Sequence, residues 1–514
     1  MSEQLREITL FDTRSDKKRP FTPQEPGKVR MYVCGVTVYD LTHIGHARVF
    51  VFFDVVQRFL RHLGYDVCYV RNHTDVDDKI LKRAKEQGID PLELSAKFID
   101  ELDRDMSRLG LDSPTFEPKV SEHIDDIIEM VQTLVDDGYA YESEGDVYYR
   151  VQSFDGYGKL SRRKLEDMEA GRSGRVEESD KKEHPFDFAL WKSSTEEQLG
   201  WDSPWGRGRP GWHIECSAMS MKYLGESLDI HGGGRDLIFP HHENEIAQSE
   251  AASGTDPFAN FWMHVGMVNV AEKTEDGDVI ERKMSKSLGN FWTTRDVLQG
   301  YHPDAIRYFM HTACYRNQIT YAIENLEEAT HRVEYLYTTI HRLDEALERA
   351  GFDAGLEEDG GNPPEETKFV PGLEELVGEF MDRFDEVMAN DINTPRGLAV
   401  IAELARAACE ATQTKDTLGG YWPYTLLRMR QNLTDAGSIL GILQRDPQVA
   451  LKELRELRIE ALELDPEEID EKVAAREQAR AEKDWAQADK LRDELDAMGV
   501  EIMDSPEGTT WRVK

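Results

Sequence analysis

Three side chains that could bind a metal ion occur in one short stretch of the sequence, MYVCGVTVYDLTHIGHARVF, residues 31–50. They are Cys34, His43 and His46, and cysteine and histidine are both common zinc ligands. The alternative is that the two histidines bind something else, such as a phosphate group, while the cysteine finds its partners elsewhere in the chain. This stretch alone leaves both arrangements open.

A second group of candidate ligands follows the three consecutive glycines at 232–234, in the segment PHHENEIAQSEAA. Pro240 suits the first position of a helix, which would place His241 and Glu245 at i and i+4 on one helix face. A histidine and a carboxylate at that spacing form a recurrent metal half-site, although an ordinary polar helix start has the same composition.

Cys216, in GWHIECSAMS, is a further candidate. A single cysteine in such a place, like Cys34, is more often a small buried residue than a ligand. However, Cys34, Cys216 and His241 all lie beside predicted strand ends or loops of one sheet. Two thiolates, an imidazole and a carboxylate are a donor set that suits Zn²⁺.

Two other segments have the chemistry of a phosphate site. His43 and His46 flank Ile44-Gly45 immediately before a predicted helix, and a helix N-terminus favours an anion. Imidazoles there can donate hydrogen bonds to phosphate oxygens whose charge grows in a transition state. Far downstream, Lys283 and Lys286 flank Met284-Ser285 in ERKMSKSLGNFWTT, which taken alone would be a solvated basic turn.

The sequence predicts that a parallel sheet positions these residues. KVRMYVCGVTVYD predicts a short strand ending at Cys34-Gly35, HARVFVFFDVVQRFLRHLGYD predicts a helix ending near Gly64, and VCYVRNHTDVDD predicts another strand. This order indicates a βαβ unit. Ligands collect at the carboxyl ends of such strands, where Cys34 and NHTDVDD both fall.

The remaining chain divides into an insertion and two further regions. Residues from about 120 to 205 break the pattern, with a predicted hairpin in DDGYAYESEGDVYYRVQSF and an irregular polar segment after it. Helical spacing dominates from about 321 onward. The last fifty residues predict one helix, DEKVAAREQARAEKDWAQADKLRDELDAMG, followed by two short strands. In that helix we expect Trp485 to pack in the core and Arg476, Arg480, Lys483 and Gln487 to share one stripe.

Composition limits the class of protein. Sixty-two basic and 100 acidic residues give a net charge of −38, which disfavours simple charge-driven nucleic-acid binding. Of a generally acidic enzyme and a protein adapted to salty cytoplasm, we favour the second. No apolar run reaches the roughly 18 residues of a membrane span, and the start predicts no secretory leader. Five scattered cysteines are no disulfide framework, so we expect a cytoplasmic protein without membrane attachment.

Together, the motifs resemble those of a known family. His-Ile-Gly-His before the first helix and Lys-Met-Ser-Lys-Ser after the second sheet half resemble the HIGH and KMSKS pair of class I aminoacyl-tRNA synthetases. YVCGVTVYDLTHIGHAR, NHTDVDDKI, GWHIECSAMS, DIHGGGRDLIFPHHENEIAQ and KMSKSLGN are similar to the cysteinyl-tRNA synthetase set. The resemblance runs through essentially the whole chain.

The resemblance implies roles for individual residues. One zinc per chain would be bound by Cys34, Cys216, His241 and Glu245. Cys34 would then belong to a metal site, and the two histidines of the same stretch would belong to a different site. ATP phosphates would be handled by His43, His46, Lys283 and Lys286, with Lys286 the stronger of the two lysines. The remaining implied contacts are Thr37, Thr74 and Trp212 for cysteine, Gly234 and Asp236 for adenosine, and Arg480, Asp489 and Asp504 for the anticodon. Trp212 could also simply pack beside its loop.

The implied protein is a cysteine–tRNA ligase that uses Mg-ATP, L-cysteine and tRNA(Cys). Its expected α/β fold has a Rossmann-like parallel-sheet catalytic domain over 1–320, interrupted by the insertion and carrying the KMSKS loop at 283–287. A helical domain over 321–462 would contact the tRNA stem, and an α+β unit over 463–514 would bind the anticodon. We expect a monomer. Val36, where the family typically has proline, and the acidic stretch AEKTEDGDVIER depart from the family pattern.

Two other functions remain as alternatives. The same catalytic core could join cysteine to an amino sugar, although such ligases lack the terminal anticodon unit. A non-catalytic zinc protein that binds RNA would have no need of the HIGH and KMSKS residues.

Overall fold

The computed structural model describes residues 6–164, 181–273, 279–284, 291–351, 369–370, 372–413, 421–505 and 508–513. Over these residues the protein is α/β, with a parallel sheet, a helical region and a small terminal α+β unit, so the predicted fold class is confirmed.

The strands run in chain order from the first hairpin to the terminal unit. They are β1 (Ile8–Asp12), β2 (Lys17–Phe21), β3 (Lys28–Val33), β4 (Asp66–Arg71), β5 (Ala140–Ser143), β6 (Asp146–Tyr149), β7 (Phe188–Ser193), β8 (Gly208–Pro210), β9 (Leu228–Gly234), β10 (Ala259–Val265), β11 (Val268–Lys273), β12 (Val279–Lys283), β13 (Ile319–Tyr321), β14 (Val500–Ser505) and β15 (Gly508–Val513).

The helices surround the sheet and then form the second half of the chain. They are α1 (Ile44–His62), α2 (Asp78–Gln87), α3 (Pro91–Arg108), α4 (Ile124–Asp136), α5 (Trp212–Leu224), α6 (Glu243–Ser253), α7 (Thr294–Gly300), α8 (Pro303–His311), α9 (Ile323–Arg349), α10 (Glu374–Gly378), α11 (Phe380–Ala389), α12 (Thr394–Gln413), α13 (Tyr421–Leu440), α14 (Pro447–Ala461), α15 (Pro466–Ala481) and α16 (Trp485–Ala497). None of the described helices is both long and apolar enough to cross a membrane.

The central sheet has four parallel strands in the order β10-β9-β3-β4. Its strands are buried on both faces, as parallel sheets usually are. In β3, Met31 and Val33 join a core shared with Phe53 of α1, while Tyr32 points to the opposite face. That opposite core is filled by α5, α6 and the insertion. The carboxyl ends of β3 and β9 therefore lie between α1 on one face of the sheet and α5 and α6 on the other.

The insertion forms a second, antiparallel sheet in the order β5-β6-β7-β8. The predicted hairpin is β5 and β6, paired from Ala140–Tyr149 to Ser143–Asp146. The sheet continues to Pro210, slightly beyond the expected end of the insertion. The irregular polar segment predicted after the hairpin, AGRSGRVEESDKKEHPFD, covers residues 170–187, and its part over 170–180 lies outside the described residues.

The terminal unit differs from its prediction, because its single predicted helix is two helices, α15 and α16. The chain turns where Lys483 adopts a φ of 62°, and the Asp484 side chain then accepts from the Gln487 backbone N–H as an N-cap. The predicted stripe through Lys483 and Gln487 is therefore wrong. Trp485 is 59% exposed rather than packed, and Trp511 fills the core of this unit.

Candidate active site and metal centre

The predicted metal ligands are brought together at the carboxyl ends of β3 and β9. Cys34 follows the last residue of β3, and Cys216 lies in the first half of α5. His241 and Glu245 span the start of α6, which begins at Glu243, so Pro240 is not its first residue as predicted. All four are buried, and their ligand atoms all lie within 4.8 Å of one another.

Individual distances show how closely the four ligand atoms converge. Cys34 Sγ lies 3.5 Å from Cys216 Sγ and 3.2 Å from a Glu245 carboxylate oxygen. His241 Nε2 lies 3.0 Å from the same Glu245 oxygen. A tetrahedral zinc site with bonds of about 2.0–2.3 Å has ligand atoms roughly 3.3–3.8 Å apart. The donor set and its spacing therefore fit a zinc ion.

The electrostatics of this cluster point the same way. Burial raises the pKa of the Cys34 thiol well above its usual value, and the neighbouring Cys216 raises it further. Burial also opposes ionisation of Glu245, but His231 and His241 outweigh it and hold the pKa of that carboxyl well below its usual range. Anionic groups crowded without solvent are costly unless a cation accompanies them. A divalent ion would resolve that cost and deprotonate the thiols.

Two histidines support the cluster from outside, and the sequence assigned neither of them a role. His231 Nε2 lies 2.8 Å from the second oxygen of Glu245, and both residues are fully buried. His213 Nδ1 lies 2.9 Å from Nδ1 of His241, so the Nε2 of His241 faces the other ligands. Hydrogen bonds of this kind orient metal ligands. The signal in the sequence was their closeness to Cys216 and to the three glycines.

The histidine pair occupies the N-terminus of α1. His43 is the N-cap and its Nδ1 accepts from the N–H groups of Gly45 and His46, at 3.1 and 3.3 Å. A proton on the neutral ring is therefore on Nε2, where it can be donated. The helix begins at Ile44, so His46 lies in its first turn rather than before it, and the two rings stack at 3.7 Å. The contacts of His43 use the N–H groups of Gly45 and His46, so an anion at this helix start would meet the imidazole rings and the helix dipole. Phosphate binding by the two histidines stays a prediction.

The segment after the KMSKS loop is attached directly to this helix start. The Ile44 N–H donates to the Trp292 carbonyl at 3.2 Å, and the Thr294 N–H donates to the Thr42 carbonyl at 2.8 Å. Lys283 ends β12, whose backbone pairs with β11. The predicted contribution of Lys286 lies outside the described residues, as does most of the loop at 283–287.

A cavity of about 520 Å³ joins the metal cluster to the histidine pair. The residues predicted to contact cysteine and adenosine all line it, together with both thiols and both histidines: Thr37, Thr74, Trp212, Gly234, Asp236, Cys34, Cys216, His43 and His46. Trp212 is 40% exposed and stacks on His241 with 4.5 Å between ring centroids, so it forms a wall of the cavity instead of packing in the core.

Backbone and side-chain contacts fix the wall that carries the two threonines. The Val38 N–H donates to the Thr74 carbonyl at 3.1 Å, and the Thr74 hydroxyl donates to Glu215 at 3.0 Å. Gly35 permits this approach, because a Cβ there would lie 1.6 Å from the Asn72 carbonyl oxygen.

Two of the three consecutive glycines, Gly232 and Gly234, have different tasks. A Cβ on Gly232 would collide with the Phe53 ring of α1 at 2.1 Å, so this glycine makes room for the core. Gly234 lines the cavity and places Asp236 beside it. Gly234 is therefore the glycine placed to let the backbone approach a ligand in the cavity.

The predicted anticodon residues lie in the terminal unit, on different elements. Arg480 of α15 is paired with Asp504 of β14 at 2.7 Å. Arg476, which the sequence did not connect with Asp504, donates to both of its oxygens at 2.9 Å and holds the pKa of that carboxyl well below its usual range. Asp489 is exposed on α16.

Comparison with protein families matches three regions of the chain. Residues 20–331 match the class I (C) tRNA synthetase catalytic domain, residues 383–444 the DALR domain, and residues 466–512 the cysteinyl-tRNA ligase anticodon binding domain.

Whole proteins show the same relationship. A cysteine–tRNA ligase of Geobacter metallireducens is 48% identical over 507 residues, covering 99% of this chain and 100% of that one. A cysteine–tRNA ligase of Geobacter sulfurreducens is 46% identical with the same coverage.

Among solved structures, Mycobacterium tuberculosis methionyl-tRNA synthetase bound by methionyl-adenylate matches with a TM-score of 0.59 at 14% identity, over 82% of this chain and 93% of its own. A putative arginyl-tRNA synthetase from Campylobacter jejuni matches with a TM-score of 0.54 at 16% identity, over 83% and 95%. At these identities the likeness concerns the fold.

Proposed function

Because the chain belongs to the cysteine–tRNA ligase family, we propose that it activates L-cysteine with Mg-ATP and transfers it to tRNA(Cys). The observation that carries the proposal is one cavity lined both by the thiol-rich cluster and by the histidine pair. In this cavity the substrate sulfur would contact the thiol-rich cluster, which selects the amino acid. The substrate carboxylate would face the histidine pair, where the adenylate forms.

The first step forms an adenylate. A carboxylate oxygen of cysteine attacks the α-phosphorus of ATP, and the bond to pyrophosphate breaks in line. His43 and His46 donate to the phosphate oxygens from the start of α1, and Lys283 and Lys286 neutralise the charge that grows on the departing pyrophosphate. Asp236 and the backbone of Gly234 hold the adenosine.

In the second step, a hydroxyl of the terminal tRNA ribose attacks the carbonyl of the adenylate, and AMP leaves. We assign the hydroxyl proton to the substrate phosphate, because the sequence motifs offer no convincing general base. The terminal unit reads the anticodon through Arg480, Asp489 and Asp504. Its match to the anticodon binding domain supports this role.

Selection against serine is assigned to Cys34, Cys216, His241 and Glu245, which would hold one zinc ion. A zinc ion held there would supply a soft Lewis acid that favours a substrate thiolate over the hydroxyl of serine. An apolar pocket separates such near-isosteres only weakly. Thr37, Thr74 and Trp212 then enclose the rest of the amino acid. This selection needs no editing domain, and we assign no editing role to the insertion.

Cellular context belongs to the same proposal. We place the protein in the cytoplasm as a monomer, and we interpret its charge of −38 as adaptation to high salt. At molar salt, phosphate attraction is strongly weakened, so recognition of tRNA should depend more on base contacts than on charge.

Two assays on purified protein test the proposal. Cysteine-dependent ATP–pyrophosphate exchange should be present, and charging of tRNA(Cys) should follow. Exchange without tRNA charging, together with transfer to an amino sugar, would indicate the thiol ligase instead. Absence of exchange would indicate a binding protein.

A matched pair of variants tests the metal assignment. Cys216→Ser should lose zinc and cysteine activation together, because it replaces one of two thiolates in the cluster. Cys409→Ser, outside the cluster on α12, should retain both. Elemental analysis that found the wild-type enzyme fully active without zinc would refute the assignment.

A further inference from the structure

The terminal unit meets the helical region at a junction built around α14. Ile459 of that helix packs against the core of the terminal unit, where Trp511 and Val513 lie. The same helix packs against α9 of the helical region. α14 therefore stands between the two parts.

Arg458 of α14 connects three elements at once. Its guanidinium donates to a Glu334 oxygen and to His331 Nδ1 of α9, each at 2.6 Å. It also donates to the Val513 carbonyl of β15 at 3.5 Å. The side chain is only 15% exposed, so water competes little with these directional contacts.

Arg455, one turn earlier, makes a second connection. Its guanidinium lies over the face of Trp511, 3.9 Å from the ring centroid. The indole N–H of Trp511 donates to Asp470 of α15 at 2.6 Å. Arg455 therefore contacts a side chain that links strand β15 to helix α15 within the terminal unit.

Apolar packing does not fill the junction between α9 and the terminal unit. A cavity of about 300 Å³ opens there, lined in part by Thr338, Arg342, Arg458 and Glu501. Polar junctions of this kind usually leave neighbouring units free to move. Besides the packing of Ile459, the orientation of the terminal unit thus depends on directional contacts, and the two arginines contribute such contacts.

We propose that Arg455 and Arg458 are positioning residues that set the orientation of the terminal unit for anticodon reading. The inference rests on the proposed function, since it concerns how Arg480, Asp489 and Asp504 are presented to tRNA. One tRNA must reach the anticodon residues and the active-site cavity together. If the terminal unit is already held at one angle before tRNA binds, tRNA can reach both sites without paying the free-energy cost of ordering that unit.

The test measures kcat/KM for charging tRNA(Cys) and a tRNA(Cys) with its anticodon bases replaced. Wild-type enzyme should prefer the native anticodon. For Arg458→Ala and Arg455→Ala alike, kcat/KM should fall about tenfold with native tRNA and little with the tRNA whose anticodon is replaced. The reason is that the variants lose the energetic coupling between the anticodon and the active site. Cysteine-dependent pyrophosphate exchange should be unchanged, which shows that the catalytic half of each variant folds. Protection of the terminal-unit backbone from hydrogen exchange should match that of wild type, which shows that the terminal unit folds as well; loss of that protection would mean that the arginines only stabilise the unit and would overturn the proposal.

Two further variants separate positioning from direct binding. Lys452→Ala, on the same helix with its side chain 75% exposed, should behave as wild type. Arg458→Lys keeps the charge but not the fork to α9 and β15, so it should resemble Arg458→Ala. Rescue by lysine, or equal loss on both tRNAs, would indicate a direct phosphate contact and overturn the proposal.

The remaining outcomes are equally decisive. If wild type prefers the native anticodon and Arg458→Ala keeps that preference in full, the positioning role fails while the proposed function stands. If wild type charges both tRNAs equally, anticodon reading fails, and the positioning role fails with it.

Discussion

Replacing His231 by alanine tests whether the buried cluster is a metal site held in place from outside. His231 Nε2 contacts one Glu245 oxygen at 2.8 Å, while the other oxygen faces Cys34 at 3.2 Å and His241 at 3.0 Å. Without His231, the carboxylate loses the partner that fixes its orientation. It also becomes a buried acceptor with fewer hydrogen bonds, which is unfavourable.

The expected loss follows from what such supporting contacts are worth. Removal of a hydrogen bond to a metal-ligating group lowers metal affinity by roughly 10–100-fold. That corresponds to about 1.4–2.7 kcal/mol at 25 °C. Zinc transfer from the variant to a chromophoric chelator measures this loss directly, and cysteine-dependent exchange should fall in parallel.

His302→Ala is the matched control. His302 is as buried as His231 and also faces a carboxylate, with Nε2 3.2 Å from Glu453, but it caps α8 away from the cluster. It should lower the melting temperature without changing zinc affinity. Unchanged zinc transfer in His231→Ala, or the same change in both variants, would refute the reasoning.

Three further predictions concern charge and domain roles. Lys286→Ala should slow pyrophosphate exchange by roughly 100-fold while barely changing cysteine binding, because its charge matters most as pyrophosphate departs; weaker cysteine binding with an unchanged exchange rate would contradict this. Since the screening length falls to about 3 Å at 1 M salt, the melting temperature should rise across a KCl series, and a flat or falling curve would exclude salt adaptation. Deleting 463–514 should abolish tRNA charging and preserve exchange, so normal charging by the truncated enzyme would exclude anticodon reading.

What could be predicted from the sequence was governed by local spacing. The i,i+4 contact of His241 and Glu245 survives although α6 begins later than expected, because His241 lies in the helical turn Ile238–His242 that leads directly into α6. Cys34 and His43 follow or cap elements whose boundaries have clear signals, a β-rich run and a Gly-containing helix start. Their convergence then follows from the parallel sheet, which gathers strand ends at one edge.

Other features depend on contacts between distant segments, which spacing cannot reveal. The partner of Glu245 on β9 and the second arginine on Asp504 are of this kind. The break between α15 and α16 is different, because Asp484 carries a capping signal that competes with continuous helical spacing over the same residues. The exposure of Trp485 follows from that break, since the turn removes it from the buried face.

The geometry also explains why activation and anticodon reading should be separable. Arg48 of α1 is buried and donates to the carbonyls of Gly266 at 2.7 Å and Asn317 at 2.8 Å, tying the histidine-bearing helix to the cavity wall. Further along α1, Asp54 accepts from Arg307 of α8 at 2.6 Å. Both contacts are made before residue 463, and neither involves the terminal unit. The helix that presents His43 is thus held by its own half of the chain. We therefore expect loss of the terminal unit to remove the proposed tRNA contact without releasing the residues proposed to form the adenylate.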